Sequence, residues 1–131
     1  MLDTNTASYI LKGNPPQVRR RLQQAGAGCV AVSVVTEAEL RFGAAHQGAP
    51  PKLAEVIEQF LALVRVLPWD SAAACAYARL RARTEAEGAA LGALDTLIAA
   101  AAAAAGAVLV THDGALLRLP ADLLSTEDWT L

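Results

Sequence analysis

From Leu97 to Val110 the chain is apolar without interruption except at Gly106. The run is too short for the roughly 20 residues that span a bilayer, and the glycine divides it. Its first part, through the alanines to Ala105, reads as a helix beginning near Asp95, since alanine costs no side-chain entropy and lets a helix lie close to a sheet. Gly106 suits a helix terminus, and Ala107 to Thr111 reads as a strongly apolar strand. A buried helix leading straight into a buried strand is a half-turn of an α/β fold.

The rest of the sequence repeats that alternation. Met1 to Asp3 reads as the stub of a first strand, followed by a helix over Thr4 to Lys12 that Gly13 ends. Pro15 and Pro16 open a second helix, with Val18 and Leu22 inward, which closes near Gly26. Cys29 to Ser33 reads as the second strand and Thr36 to Gly43 as the next helix. Gly48 to Pro51 is a turn, too short to separate domains. Leu53, Val56, Ile57, Phe60, Leu61 and Val64 fall on one helical face, and Val66 and Leu67 form the third strand. Asp70 has the character of an N-cap for a long helix reaching Glu87, with Ala73, Ala76, Tyr77 and Leu80 as its buried stripe. Strand four follows at Ala107 to Thr111, and Leu123 to Ser125 is expected to be a fifth, edge strand. Strands alternating with helices specify a parallel sheet covered by helices. The expectation is one α/β domain over residues 1–131, with about five strands in the order 3-2-1-4-5.

Composition narrows the function classes. The chain has 131 residues, 11 basic against 13 acidic for a net charge of −2, and 5% aromatic residues. A broad phosphate-binding surface usually carries a pI above about 9, whereas this sequence has 5.6. No basic segment precedes an apolar one at Met1-Leu2-Asp3, so an intracellular, cytoplasmic protein is expected. Cys29 and Cys75 are too isolated for a zinc site or a disulfide framework, and both read as small core residues.

In open parallel sheets the ligand crevice lies beyond the carboxyl ends of the strands. Four acids fall there. Asp3 follows strand one, Glu39 lies just inside the helix after strand two, Asp95 opens the helix before strand four, and Asp113 follows strand four. Each also has a purely structural explanation: Asp3 as a helix cap competing with Asn5, Glu39 closing a capping box with Thr36, Asp95 on a helix dipole, and Asp113 in an Asx turn before Gly114. Their shared location raises the functional reading. Carboxylates crowded into one cleft repel unless protonated or joined by a cation, and hard oxygen donors favour Mg²⁺ or Mn²⁺. With those four set aside, 11 basic residues stand against 9 acidic ones, so the net charge does not oppose a protein that meets phosphate through a metal.

At these residues the sequence resembles a known family. Met1-Leu2-Asp3-Thr4-Asn5, the segment Val32 to Gly43 with Thr36-Glu37-Ala38-Glu39, Gly92-Ala93-Leu94-Asp95-Thr96 through Ala100, and Leu109-Val110-Thr111-His112-Asp113 are similar to the successive motifs of PIN-domain ribonucleases. More narrowly, they resemble VapC-type toxins of bacterial toxin–antitoxin pairs. The likeness extends over Leu67-Pro68-Trp69-Asp70 and Glu127-Asp128-Trp129. It implies that Asp3, Glu39, Asp95 and Asp113 bind Mg²⁺ or Mn²⁺ and carry catalysis, that Thr4, Asn5 and Thr111 support them, and that Asn5 orients Asp3. It also implies a homodimer, a VapB-type antitoxin lying in a groove of the first helices, and cleavage of structured RNA, with tRNA the expected target. Two positions depart from the family pattern: Ala101 replaces a common His, and Leu116 replaces an acid that bears on a second ion.

The implied chemistry is metal-dependent hydrolysis of an RNA phosphodiester with no side-chain nucleophile. Arg19, Arg20 and Arg21 are candidates for phosphate contacts that position RNA, or form a solvated face. His112 stays outside the catalytic set as a loop residue. Competing classes are a catalytically silent PIN domain acting as an interaction module, a metal-dependent phosphatase, and a phosphoacceptor receiver domain. The last normally needs a Lys after the final strand, and the only lysines here are Lys12 and Lys52.

Overall fold

The computed structural model describes all residues 1–131. Seven helices, α1 (Thr4–Lys12), α2 (Pro16–Ala25), α3 (Val34–Ala45), α4 (Leu53–Leu63), α5 (Ser71–Ala86), α6 (Ala93–Ala104) and α7 (Gly114–Leu117), alternate with strands β1 (Ala31–Ser33), β2 (Arg65–Leu67), β3 (Leu109–Val110) and β4 (Thr126–Glu127). The caps follow the sequence. Gly13 ends α1 with φ 70°, and Asp70 caps α5 by accepting the Ala73 N–H at 3.0 Å.

β1 pairs with β2 and β3 with β4, both in parallel. The opening residues join the two pairs. Leu2 N–H donates to the Ala31 carbonyl (2.8 Å), Val110 N–H to the Met1 carbonyl (2.7 Å) and Asp3 N–H to the Val110 carbonyl (3.0 Å). Regular strands therefore number four rather than five, because Met1 to Asp3 makes one parallel bridge, Leu2 to Val110, in place of a ladder. The last strand also lies later than expected. Leu123 and Leu124 N–H groups both turn back to the Pro120 carbonyl, and Leu124 is buried, so extended pairing starts only at Thr126.

Period-2 alternation through the centre of the sheet sorts side chains into two cores. Leu2 and Val110 point into a cluster with Ile10, Leu22, Ile57, Phe60 and Leu61, while Met1 and Leu109 point into another with Leu80, Ile98, Ala99 and Ala102. Both cysteines are exposed, which corrects their reading as core residues. Cys75 occupies the outer side of α5 between the buried Ala73 and Ala76, and Cys29 lies in a short 3₁₀ turn that ends before buried Val30. No helix is long and apolar enough to cross a membrane.

Candidate metal centre

Asp3 is the anchor of the crevice. Its carboxylate is 4% exposed, and both oxygens are already oriented: Oδ1 accepts the Thr6 N–H at 2.8 Å, and Oδ2 accepts the Thr111 hydroxyl at 2.6 Å. The first bond makes Asp3 the N-cap of α1, so its structural and functional readings coincide. Asn5 is exposed and takes no part in holding Asp3, correcting the role expected of it. Adjacent side chains on α1 project about 100° apart, so Thr6 turns inward while Asn5 faces solvent.

Thr111 does more than line the site. Its hydroxyl donates to Asp3 and accepts the Asp113 N–H at 3.0 Å, coupling the first acid to the fourth. Asp113 in turn caps α7 through one oxygen, Oδ1, which accepts from Ala115 N–H (2.8 Å) and Leu116 N–H (3.2 Å). That leaves Oδ2 without a protein donor. Leu116, standing where the family pattern has an acid, is fully buried in the second core and cannot serve as a ligand.

Glu39 is held from across the chain. Thr4 Oγ1 donates to Glu39 Oε1 at 2.6 Å and lies 3.1 Å from Thr36 Oγ1. No capping box forms between Thr36 and Glu39, because α3 begins two residues earlier than expected and Ser33 is its cap, accepting the Thr36 N–H at 3.2 Å. Thr36 thereby becomes a buried helical residue, and Glu39 is released toward the crevice. Glu37, its acidic neighbour, instead pairs with Arg41 one turn along.

Asp95 sits in the first turn of α6 with no hydrogen-bond donor of its own. Burial, then the charges of Asp113, Asp3 and Glu39, push its carboxyl above the ordinary aspartate range. Asp95 therefore feels all three of the other acids. None of the four enters an ion pair with Lys or Arg, whereas Arg21, Arg41, Arg81 and Arg83 are each engaged with carboxylates elsewhere.

Such a donor set fits a hard divalent cation in its chemistry: oxygen atoms only, negative charge with no cationic partner, and an Asp113 Oδ2 and an Asp95 carboxylate without protein donors. No three acids stand close enough to complete a coordination shell by themselves. Mg²⁺ usually keeps several waters and takes one or two carboxylates, so a partial protein shell suits it.

The remaining candidates are dispersed. Arg19 donates to the Ile10 carbonyl at the end of α1 (2.8 Å), and Arg21 pairs with Glu127 and lies 5.7 Å over the Trp129 ring. Within that cluster only Arg20 has no protein partner. His112 is not simply solvated, since its Nδ1 meets Asp128 Oδ2 at 2.8 Å and Thr130 Oγ1 at 3.1 Å. Burial raises the Asp128 carboxyl, but the bonds from His112 and Thr130 outweigh it and hold the group below its usual range. The Thr6 N–H on Asp3 and the Thr36 hydroxyl beside Thr4 escaped the motif reading. Their signal was polar residues at positions where the helical period expects apolar ones.

Acids with no cationic partner beyond the strand ends of a parallel α/β sheet offer the oxygen donors that a hard divalent cation takes. The chain belongs to the PIN-domain family, whose model matches residues 1–122. It is 35% identical over 130 residues to a tRNA(fMet)-specific endonuclease VapC of Shigella flexneri, covering 99% of this chain and 97% of that one. It is also 35% identical over 113 residues to Ribonuclease VapC2 of Haemophilus influenzae, covering 86% and 85%. Among solved structures, the DNA-bound VapBC complex of Salmonella typhimurium contains a chain with TM-score 0.88 and 33% identity, matched over 98% of this chain and 96% of that one.

Proposed function

We propose that residues 1–131 form one PIN domain that acts as a Mg²⁺-dependent endoribonuclease toxin of the VapC type, cutting structured RNA, with tRNA as its substrate class. The observation that carries this reading is the set of four carboxylates at the strand ends, free of cationic partners, with Asp95 under the charge of the other three. Support for the substrate comes from the names of relatives of nearly the same length.

Asp3 and Asp95 would be the main metal ligands, Glu39 a ligand or a hydrogen-bond acceptor that orients the attacking water, and Asp113 a ligand through Oδ2. When bound, Mg²⁺ or Mn²⁺ activates water and offsets charge developing on the phosphoryl oxygens. The chain's own work is positional. Thr111 and the Thr6 N–H fix Asp3, Thr4 fixes Glu39, and α6 carries Asp95 to them. In pure protein, cleavage of a tRNA pool should require Mg²⁺ and vanish in Asp3→Asn and Asp95→Asn. Undiminished cleavage by either variant overturns the site assignment.

Neutralisation by a VapB-type antitoxin, assembly as a homodimer and a cytoplasmic location belong to the same proposal. An apolar cleft of about 340 Å³ between α1, α2 and α4, lined by Ile10, Leu11, Leu22, Val56, Phe60 and Leu63, has the apolar character that receives the face of an amphipathic helix. Related solved structures are VapBC complexes. Co-expression with a cognate antitoxin should give a stable complex and lift toxicity, and Leu63→Glu should abolish both effects.

A further inference from the structure

Beyond the cleft just described, one exposed apolar feature stands beside the acids. Phe42 is 71% exposed, and every other Phe, Tyr or Trp in the chain is buried or half-buried. It follows Glu39 by one helical turn on α3, so the two side chains are neighbours on one flank. The ring is paired with His46 at 5.8 Å between centroids and an interplanar angle of 33°. Across the crevice α6 packs against α3 and presents Leu94, 48% exposed, immediately before Asp95. The only cation on α3, Arg41, is tied to Glu37 and Glu58 and is not free to meet phosphate.

An aromatic ring held open to solvent contributes little to folding. Its neutral face beside a phosphate-handling site suits a nucleobase, since unpaired RNA bases are recognised by stacking on Phe, Tyr, Trp or His. Stacking also supplies affinity where an acidic rim discourages binding by charge. We propose that Phe42, backed by His46, is the platform on which one unpaired base flanking the cleaved bond stacks, placing the adjoining phosphate at the acids. This rests on the endoribonuclease reading and assigns a substrate-positioning residue to it.

The test uses the full chain with Mg²⁺ and a tRNA pool in which the wild-type cut has been mapped. A short RNA oligonucleotide spanning that cut is then made with an abasic ribose at either flanking nucleotide. Phe42→Ala and Phe42→Leu should each raise KM about tenfold with kcat little changed, and Phe42→Tyr should restore KM, because the aromatic face rather than apolar bulk is what binds. One abasic substitution should weaken wild type to the same extent and Phe42→Ala no further. The loss should also persist between 50 and 200 mM salt, unlike a phosphate contact. If Phe42→Ala or Phe42→Leu matches wild type, or if the abasic and Phe42→Ala losses add, the platform is wrong while the nuclease reading stands. A change in sedimentation of Phe42→Ala that accounts for its loss would also overturn the platform, placing the ring between two copies of the chain. If wild type makes no Mg²⁺-dependent cut, the nuclease reading itself fails.

Discussion

The two sides of the sheet are packed from different materials. Toward α1–α4 the core is built of large side chains, among them Ile10, Leu22, Ile57, Phe60 and Leu61. Toward α5 and α6 large side chains such as Leu80, Ile98, Leu109 and Leu116 share the core with alanines, of which Ala99, Ala100 and Ala102 are fully buried. Their acids differ in the same way. Asp3 and Glu39 belong to the first side and arrive with hydroxyl donors, whereas Asp95 arrives on the alanine side with none. Asp95 lies in the first turn of α6, ahead of its alanine run, and with no donor it takes both burial and the charges of the other three acids.

That contrast can be broken first by changing volume. Phe60→Ala should cost about 3–5 kcal/mol in urea unfolding by opening a cavity in the large-residue core. Ala99→Leu should cost about 1–3 kcal/mol by overpacking, and because it displaces α6 it should also lower cleavage, which Phe60→Ala should do less per kcal/mol lost. Equal stability with intact activity in Ala99→Leu would show that α6 has slack.

A smaller perturbation tests the hydroxyl supports. Thr111→Val should weaken Mg²⁺ binding and cleavage about 10- to 100-fold, as loss of a group that orients a ligand does. Isothermal titration with Mg²⁺ and Mn²⁺ measures it, and unchanged affinity would mean Asp3 needs no such support.

The sign of the pH response separates the two sides further. Asp95 has a folded pKa raised above its unfolded value, so its stabilising contribution is present below about pH 4 and is lost as pH rises through the folded value. Without metal at pH 7, Asp95→Asn should therefore melt above wild type, the gap should close on acidification, and Mg²⁺ should narrow it by stabilising only wild type. Asp128 has the opposite sign. Its depressed folded pKa contributes above about pH 4 and fails as pH falls through the folded value, so Asp128→Asn should melt below wild type at pH 7 and approach it in acid. A pH-independent Asp95→Asn gap would mean that Asp95 feels neither burial nor the other three acids. The smallest effect belongs to Cys75→Ser, within about 0.5 kcal/mol, as expected for an exposed helix position.

Much of this was legible in the chain. Gly13 as a C-cap, Asp70 as an N-cap, and the buried Ala73, Ala76 and Leu80 follow from local rules that need no knowledge of the fold. Location of the acids followed from topology alone. What escaped was set by contacts distant in sequence. Thr111 was reachable only through the family likeness, and its bond to Asp3, where Asn5 was expected, is invisible to local pattern because the two lie 108 positions apart. Ser33, not Thr36, caps α3 because strand β1 ends in the cap itself. The last strand moved to Thr126–Glu127 because Pro120 organised a turn and Leu124 found a core.

The bond between Thr111 and Asp3 also orders events during synthesis. Thr6 can hold one oxygen of Asp3 at once, but the other has no donor until 108 further residues have been made, and β3 waits for Glu127 to pair. At about 5–20 residues per second that interval lasts roughly 5–20 s. The acids therefore meet only after the segment carrying Thr111 and Asp113 has emerged.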